Sequence, residues 1–195
     1  EERLSKAVVA IMGNPKYVAL AGILMIGDKT ICDDVSTACT NGRDEKYGRA
    51  FVAGLTDAEL RGLVLHENYH KLYSHLTTWK HLWQIDAHTA NMACDYVINL
   101  KIRDDNRDGF AKLPDGGLID DKYSGMDSAQ VFTLIRKDME ENGGSTGEVG
   151  GTPTNGSGGM DEHDWEGAQE LSEEEQRELA RDIDEAIRQG AMVAG

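Results

Sequence analysis

Five of the six histidines in this 195-residue chain lie within 23 residues of one another. The most informative pattern among them is His66-Glu67-Asn68-Tyr69-His70, an HExxH sequence. Side chains four residues apart lie on one face of a helix, so both imidazoles can bind one divalent ion. Imidazole nitrogen suits Zn²⁺, and a catalytic zinc site has three protein ligands and one position for water. The pattern therefore predicts a zinc site in which Glu67 is the general base that takes a proton from that water.

The site needs a third metal ligand, and the sequence offers several candidates. Our first choice is Asp95, 25 residues after His70, because a helix that returns antiparallel to the first would bring its carboxylate to the ion. Alternatively, Asp95 orients a liganding imidazole without touching the ion. His75 lies about 140 degrees around the helix from His70, so it reaches the ion only if the helix bends or ends there. The remaining candidates are His88 and His163.

A clear helix start precedes the HExxH sequence. Thr56 and Glu59 form a capping box, in which a hydroxyl and a carboxylate bind the first free backbone N–H groups. We expect this helix to cover residues 57–77, and a second helix over 82–102 to carry Asp95. Two further helices are predicted at about residues 128–141 and 172–189.

The residues before the capping box favour a small sheet. The apolar residues 22–27 are bounded by glycines and predict a buried strand. Asn41-Gly42 favours a tight turn, so we expect a hairpin with arms at 35–40 and 46–52. A small, mostly antiparallel sheet packed on the HExxH helix and its antiparallel neighbour places the chain in the α+β class.

Composition divides the chain into three segments. Residues 1–142 contain the predicted core. Glycine accounts for eight of residues 143–159, so we expect a flexible loop or linker over 143–160. Residues 161–195 are acidic, and we expect them to be helical and able to complete the domain.

Charge and apolar content limit the classes of partner. Lys and Arg number 20 and Asp and Glu number 35, which gives a formal net charge of -15. We expect neither nucleic acid nor an anionic membrane as the main partner, because phosphate recognition relies on clustered basic side chains. The longest apolar run, residues 17–26, is shorter than the roughly 20 residues of a membrane-spanning helix. Three cysteines without CxxC spacing suit a reducing compartment, so we expect a cytoplasmic protein.

A second metal pattern follows the predicted second helix. Asp104, Asn106 and Asp108 have the alternate spacing of a calcium loop. The twelfth position holds Asp115 where such loops carry a bidentate glutamate. We therefore favour a turn that closes a helix over a Ca²⁺ site.

Residues 66–75, 82–85 and 93–99 together resemble the putative metallopeptidase domain found ahead of a von Willebrand A-like domain in bacterial and phage proteins. The likeness covers most of the chain. It implies a zincin-like fold, in which His75 and Asp95 match residues that recur beside HExxH. It also implies that an edge strand beside the active helix pairs with a peptide substrate. The segments 22–27 and 35–40 are the candidates for that strand.

The sequence leaves more than one function open. The leading hypothesis is a zinc-dependent metallohydrolase, a peptidase that cleaves peptide or protein substrates. The alternative is a metal-stabilised binding or adaptor module without turnover. The resemblance implies a von Willebrand A-like domain or an AAA+ ATPase as its partner. A third hypothesis, an acidic mimic of nucleic acid, leaves the histidines without a role. The chain begins at Glu1 without a methionine, so we expect a piece of a longer protein.

Overall fold

Helices make up most of the fold. The structure is a computed structural model that describes residues 1–141, 167 and 170–194. Two short 3-10 helices cover Pro15–Leu20 and Asp121–Tyr123. The α-helices of the described residues are, in chain order, α1 (Glu2–Met12), α2 (Ala21–Leu24), α3 (Arg49–Gly54), α4 (Asp57–Leu72), α5 (His75–Thr78), α6 (Lys80–Ile85), α7 (Ala87–Asp105), α8 (Ser128–Glu141) and α9 (Glu173–Ala194).

A small mixed sheet accompanies these helices, which confirms the α+β class. Its strands are β1 (Lys29–Cys32), β2 (Ala38–Thr40) and β3 (Glu45–Gly48), in the order β1-β3-β2. The predicted hairpin is present, since β2 and β3 pair antiparallel around a turn in which Gly42 has φ 91°. Its arms are shorter than predicted, because residues 49–52 belong to helix α3. β1 pairs parallel with β3, so the sheet is mixed where the sequence predicted mostly antiparallel pairing.

The predicted strand over residues 22–27 is wrong. Ala21–Leu24 forms the short helix α2, and the first strand begins only at Lys29. α2 packs against α9, and a Cβ on Gly22 would lie 2.8 Å from the Cβ of Ala186. An apolar run of this length cannot be assigned to strand or helix by periodicity alone. Packing against α9, about 160 residues away along the chain, determines that this segment is a helix.

The HExxH helix starts as predicted and ends earlier. In its capping box, Glu59 N donates to Thr56 Oγ1 over 3.3 Å and Thr56 N donates to Glu59 Oε2 over 2.7 Å. α4 ends at Leu72, because Ser74 adopts a left-handed conformation with φ 49°. The chain then turns, and α5 begins at His75.

The predicted second helix is also interrupted. α6 ends at Ile85, and Asp86 caps a new helix with its side chain, which accepts a hydrogen bond from Thr89 N over 3.1 Å. The resulting helix α7 runs to Asp105 and packs across α4. α8 starts as predicted, and α9 extends beyond the predicted end at Gln189.

α4 lies at the centre of the fold, between α1, α7 and strand β2. Its buried apolar side chains, such as Leu60 and Leu63, belong to the largest core cluster. The segment after α7 returns to it, where Lys112 N donates to Ala58 O over 3.0 Å. A Cβ at Gly62 would lie 1.8 Å from the backbone oxygen of Lys112, so this contact requires glycine. These contacts fix the position of α4 between its neighbours.

α9 packs against the N-terminal part of the chain. A Cβ at Gly190 would lie 2.2 Å from the backbone oxygen of Ala19, so the two segments touch backbone to backbone. Leu179 and Ile183 bury their side chains against Ile23. The predicted linker 143–160 lies outside the described residues.

No single helix within the described residues combines the length and the apolar character needed to cross a membrane. α1 and the segment Pro15–Leu24 are long and apolar enough only when they are taken together, and they meet at an angle of 102°. Both pack into the core, where Ile11 and Tyr17 are buried.

Candidate metal centre

Three potential metal ligands converge inside the fold. His66 and His70 on α4 and Asp95 on α7 are completely buried. The Nε2 atoms of the two histidines are 3.0 Å apart. Asp95 Oδ1 lies 3.6 Å from His66 Nε2 and 3.5 Å from His70 Nε2. We refer to His66, His70 and Asp95 as the histidine cluster.

The antiparallel crossing of α4 and α7 creates this cluster. α4 contributes His66 and His70, whereas α7 contributes Asp95 and, one turn later, Asn99, which borders the cluster. His66 contacts Asn99, whereas His70 faces Asp95. The antiparallel arrangement predicted from the sequence is therefore the one observed.

The cluster has the dimensions of a site for a small transition-metal ion. A point equidistant from the three atoms lies about 2.0 Å from each, which is the distance at which zinc binds imidazole nitrogen and carboxylate oxygen. Ca²⁺ prefers oxygen ligands at about 2.3 to 2.6 Å, so neither the distance nor the donor set suits it. The residues present thus fit a metal ion that accepts nitrogen ligands.

The hydrogen bonds of Asn99 define the tautomer of His66. Asn99 Nδ2 donates to the backbone oxygen of Leu118 over 3.2 Å, which turns its Oδ1 towards the histidine. That oxygen lies 2.9 Å from His66 Nδ1 and can only accept, so Nδ1 carries the proton. Neutral His66 then has its lone pair on Nε2, the atom directed towards the cluster. Sequence reasoning did not single out Asn99, although it lies one helical turn after Asp95.

His75 is close to the cluster and not part of it. Its Nδ1 lies 3.1 Å from Nδ1 of His70, on the edge of that ring that faces away from His66 Nε2. His75 is nearly completely buried, with 2% of its surface exposed. The chain reversal at Ser74 places His75 there. The sequence analysis treated such a bend only as a way for His75 to become a third ligand.

Glu67, the predicted general base, is completely buried beside the cluster on α4. It lies near Tyr47 on β3. Burial raises the pKa of the Tyr47 hydroxyl well above its usual value of 10, and the negative charges of Glu45 and Glu67 raise it further. The carboxylate of Glu67 therefore shares a dry environment with a phenol that stays protonated.

A second buried polar cluster, which sequence reasoning missed, lies on another face of α4. Its centre is Glu45, which pairs with Lys71 and, over 3.0 Å, with Lys29. The Tyr47 hydroxyl and, over 3.4 Å, Asn68 Nδ2 donate to the other carboxylate oxygen. We refer to Glu45, Lys29, Tyr47, Asn68 and Lys71 as the glutamate cluster. Strand alternation places Glu45 on the same face of β3 as Tyr47, and this pattern could have indicated from the sequence that Glu45 is buried.

Of the other predicted ligands, His88 stands apart from the histidine cluster. His88 is exposed in the first turn of α7, two turns before Asp95. The fold thus gives no support to His88 as a ligand. His163 lies outside the described residues, and its role stays a prediction.

Two carboxylates of the calcium-like pattern form ion pairs with basic side chains. Asp104 forms an ion pair with Arg103 over 3.0 Å, and Asp108 forms one with Lys16 over 2.9 Å. Asn106 follows the end of α7, where its Nδ2 donates to Ile102 O over 2.7 Å. The segment is a turn that closes a helix, as the sequence favoured.

The candidate edge strand 35–40 is represented by β2. It lies at one edge of the sheet and contacts α4. All three of its residues, Ala38–Thr40, are buried, so a peptide could pair with this edge only after a neighbouring segment had moved. Pairing with a substrate strand stays a prediction.

Comparison with known proteins gives information at the level of the family. No curated protein and no solved structure matches the chain. A family model matches residues 1–195, and its description is "Putative metallopeptidase domain". The buried cluster of two histidines and an aspartate fits this description. By sequence and by site, the chain belongs to the putative metallopeptidase domain family.

Proposed function

We propose that the protein is a zinc-dependent metallohydrolase that cleaves amide bonds in peptides or proteins. The observation that carries this proposal is the convergence of three ligand atoms on a point about 2.0 Å from each, at the spacing of a zinc site. The family description supports the same reaction class. The buried position of the cluster, away from bulk water, strengthens every electrostatic interaction within it.

The residues at the site have separate roles in the proposed reaction. His66, His70 and Asp95 would hold the ion, and Asn99 keeps the His66 lone pair directed towards it. When bound, zinc supplies a Lewis acid that polarises a carbonyl and lowers the pKa of water. Glu67 takes the proton from the attacking water and transfers it to the amide nitrogen that leaves.

Replacement of Glu67 by glutamine tests the proposal. We expect the purified wild type to contain about one zinc per chain and to cleave members of a proteome-derived peptide library. Glu67→Gln should keep the zinc and lose at least about 100-fold in rate, the usual contribution of a general base. The matched control is Glu59→Gln on the same helix, which preserves the capping box and should leave the rate unchanged. Retained cleavage in Glu67→Gln would refute the assigned base.

The burial of the site favours a second candidate function. His66, Glu67, His70 and Asp95 have no exposed surface, whereas a catalytic zinc must keep a position open to water and substrate. A metal-stabilised binding or adaptor module would use the same ligands as a closed structural site. Its partner would then be a von Willebrand A-like domain or an AAA+ ATPase.

The two candidates differ in what the metal does. A structural ion contributes its binding energy to folding, so a chelator would unfold an adaptor module. If chelation unfolds the protein and no peptide in the library is cleaved by the zinc-loaded wild type, the adaptor is favoured. If the protein stays folded without zinc and cleavage returns with the metal, the hydrolase is favoured.

A further inference from the structure

His75 occupies an unusual place beside the histidine cluster. α4 would carry its ring away from the cluster if the helix continued, because five residues separate it from His70. Ser74 instead adopts φ 49°, in the left-handed region that non-glycine residues rarely enter. This reversal returns the His75 ring to His70, with ring centroids 5.1 Å apart and planes at 75°. A strained residue thus serves to place a particular side chain.

The contact involves the outer nitrogen of His70. His75 Nδ1 lies 3.1 Å from His70 Nδ1, whereas the atom of His70 that faces His66 and Asp95 is Nε2. The two nitrogens lie on different edges of the imidazole ring. His75 therefore acts on His70 from the side opposite the expected ion.

We infer that His75 is a positioning residue for the metal ligand His70, an inference that rests on the metal site of the proposed function. In the metal-binding state His70 keeps its proton on Nδ1 and donates a hydrogen bond to His75 Nδ1, so the His70 lone pair lies on Nε2. His75 then carries its own proton on Nε2. Tyr73 stacks on the ring of His75 at a centroid distance of 5.4 Å.

The other histidine ligand, His66, has a comparable hydrogen-bond partner on its outer nitrogen. Asn99 accepts from His66 Nδ1 over 2.9 Å, as His75 accepts from His70 Nδ1. Both inner nitrogens thereby present lone pairs to one point, an arrangement that a cation stabilises. Such outer partners fix the tautomer and orientation of a liganding imidazole, and their loss lowers metal affinity about 10- to 100-fold.

Metal affinity provides the test, because it does not depend on turnover. Zn²⁺ affinity is measured by competition with a chromophoric chelator, and ligand geometry by the visible absorption of the Co²⁺-loaded protein. His75→Phe keeps an aromatic ring against Tyr73 and removes the acceptor. We expect it to bind one Zn²⁺ with an affinity 10- to 100-fold lower and an unchanged Co²⁺ ligand number. His75→Asn restores an acceptor near the position of Nδ1 and should return the affinity to within about threefold of wild type.

Controls separate this role from packing and from direct ligation. His88→Phe changes an exposed histidine on α7 and should leave affinity unchanged, while thermal melts of the metal-free variants report on folding. Equal affinity of His75→Phe and wild type would overturn the inference and leave the proposed function intact. A lower Co²⁺ ligand number, or no rescue by His75→Asn in a folded protein, would also overturn it. A wild type that binds no Zn²⁺ would overturn the proposed function itself.

Discussion

Two buried polar clusters share helix α4, and they satisfy their charges in different ways. The glutamate cluster joins α4 to strands β1 and β3, whereas the histidine cluster joins α4 to α7. The carboxylates at their centres, Glu45 and Asp95, are both completely buried. Burial of an ionised group costs several kcal/mol, so each cluster needs a source of compensation.

The protein itself supplies that compensation in the glutamate cluster. Two ammonium groups flank the carboxylate, and each also donates to a backbone oxygen, Lys71 to Ile26 over 2.6 Å and Lys29 to Leu24 over 2.7 Å. Burial lowers the pKa of Lys71, and the negative charge of Glu45 opposes that shift. The cluster ties the helix to the sheet with its own charges.

The histidine cluster gathers electron-pair donors instead. With the tautomers set by Asn99 and His75, two imidazole nitrogens and one carboxylate oxygen point to a common centre. Such a set is stabilised by a cation from outside the chain. The comparison shows that buried charge alone does not identify a functional site. Opposite charges that pair with one another stabilise the fold, whereas donors that converge on one point prepare an ion site.

The largest expected effect comes from removing the centre of the glutamate cluster. Glu45→Ala leaves Lys71 buried without its carboxylate, and breaking a buried pair in this way costs about 3 to 5 kcal/mol. The free energy of unfolding is measured with urea on the metal-free protein. Glu178→Ala, an exposed position on α9, is the control and should change stability by less than about 0.5 kcal/mol. A loss below about 1 kcal/mol in Glu45→Ala would mean that the cluster does not hold the sheet to α4.

Metal removal should affect the stability contributed by the histidine cluster and leave that of the glutamate cluster unchanged. Free Zn²⁺ at 100 times its dissociation constant stabilises a protein that binds it only when folded by about 3 kcal/mol. We expect a chelator to remove this increment from the wild type and to have no effect on Asp95→Asn, which lacks the carboxylate of the histidine cluster. A destabilised Glu45→Gln should still gain the increment, because its histidine cluster is intact. An equal gain in Asp95→Asn and wild type would exclude Asp95 as a ligand.

Local signals in the sequence predicted the elements that position the histidine cluster. The capping box fixed the start of α4 at Asp57, and the i, i+4 spacing placed both imidazoles on one face. The same spacing links Asp95 and Asn99, so the partner of His66 could also have been predicted from α7. These features depend on residues within one or two turns of each other, which is why the sequence alone reveals them.

Interruptions and pairings that depend on distant segments could not be predicted in the same way. No glycine marks the left-handed residue Ser74, and the contact between His75 and His70 that it permits exists only in the folded chain. Asp86 is a good helix cap, but the apolar pattern on both sides of it suggests one continuous helix. The parallel pairing of β1 with β3 likewise follows from packing of the whole domain, not from either strand.

The smallest expected effect concerns Tyr47, the residue of the glutamate cluster that also lies near Glu67. Burial, followed by the charges of Glu45 and Glu67, raises its pKa well above 10, so the folded state holds a proton that the unfolded state loses above pH 10. Its contribution is present below pH 10 and declines as pH rises above 10 towards the folded-state pKa, by at most about 1.4 kcal/mol per pH unit. Between pH 9 and 11, Tyr47→Phe should therefore lose about 1 kcal/mol less stability than wild type. Urea unfolding at pH 9 and pH 11 measures the loss of stability in each protein. The other tyrosines and Lys71 contribute equally to both proteins, so their contributions cancel in the difference. Equal losses would mean that the Tyr47 phenol titrates normally and that the region between the two clusters is wetter than its burial implies.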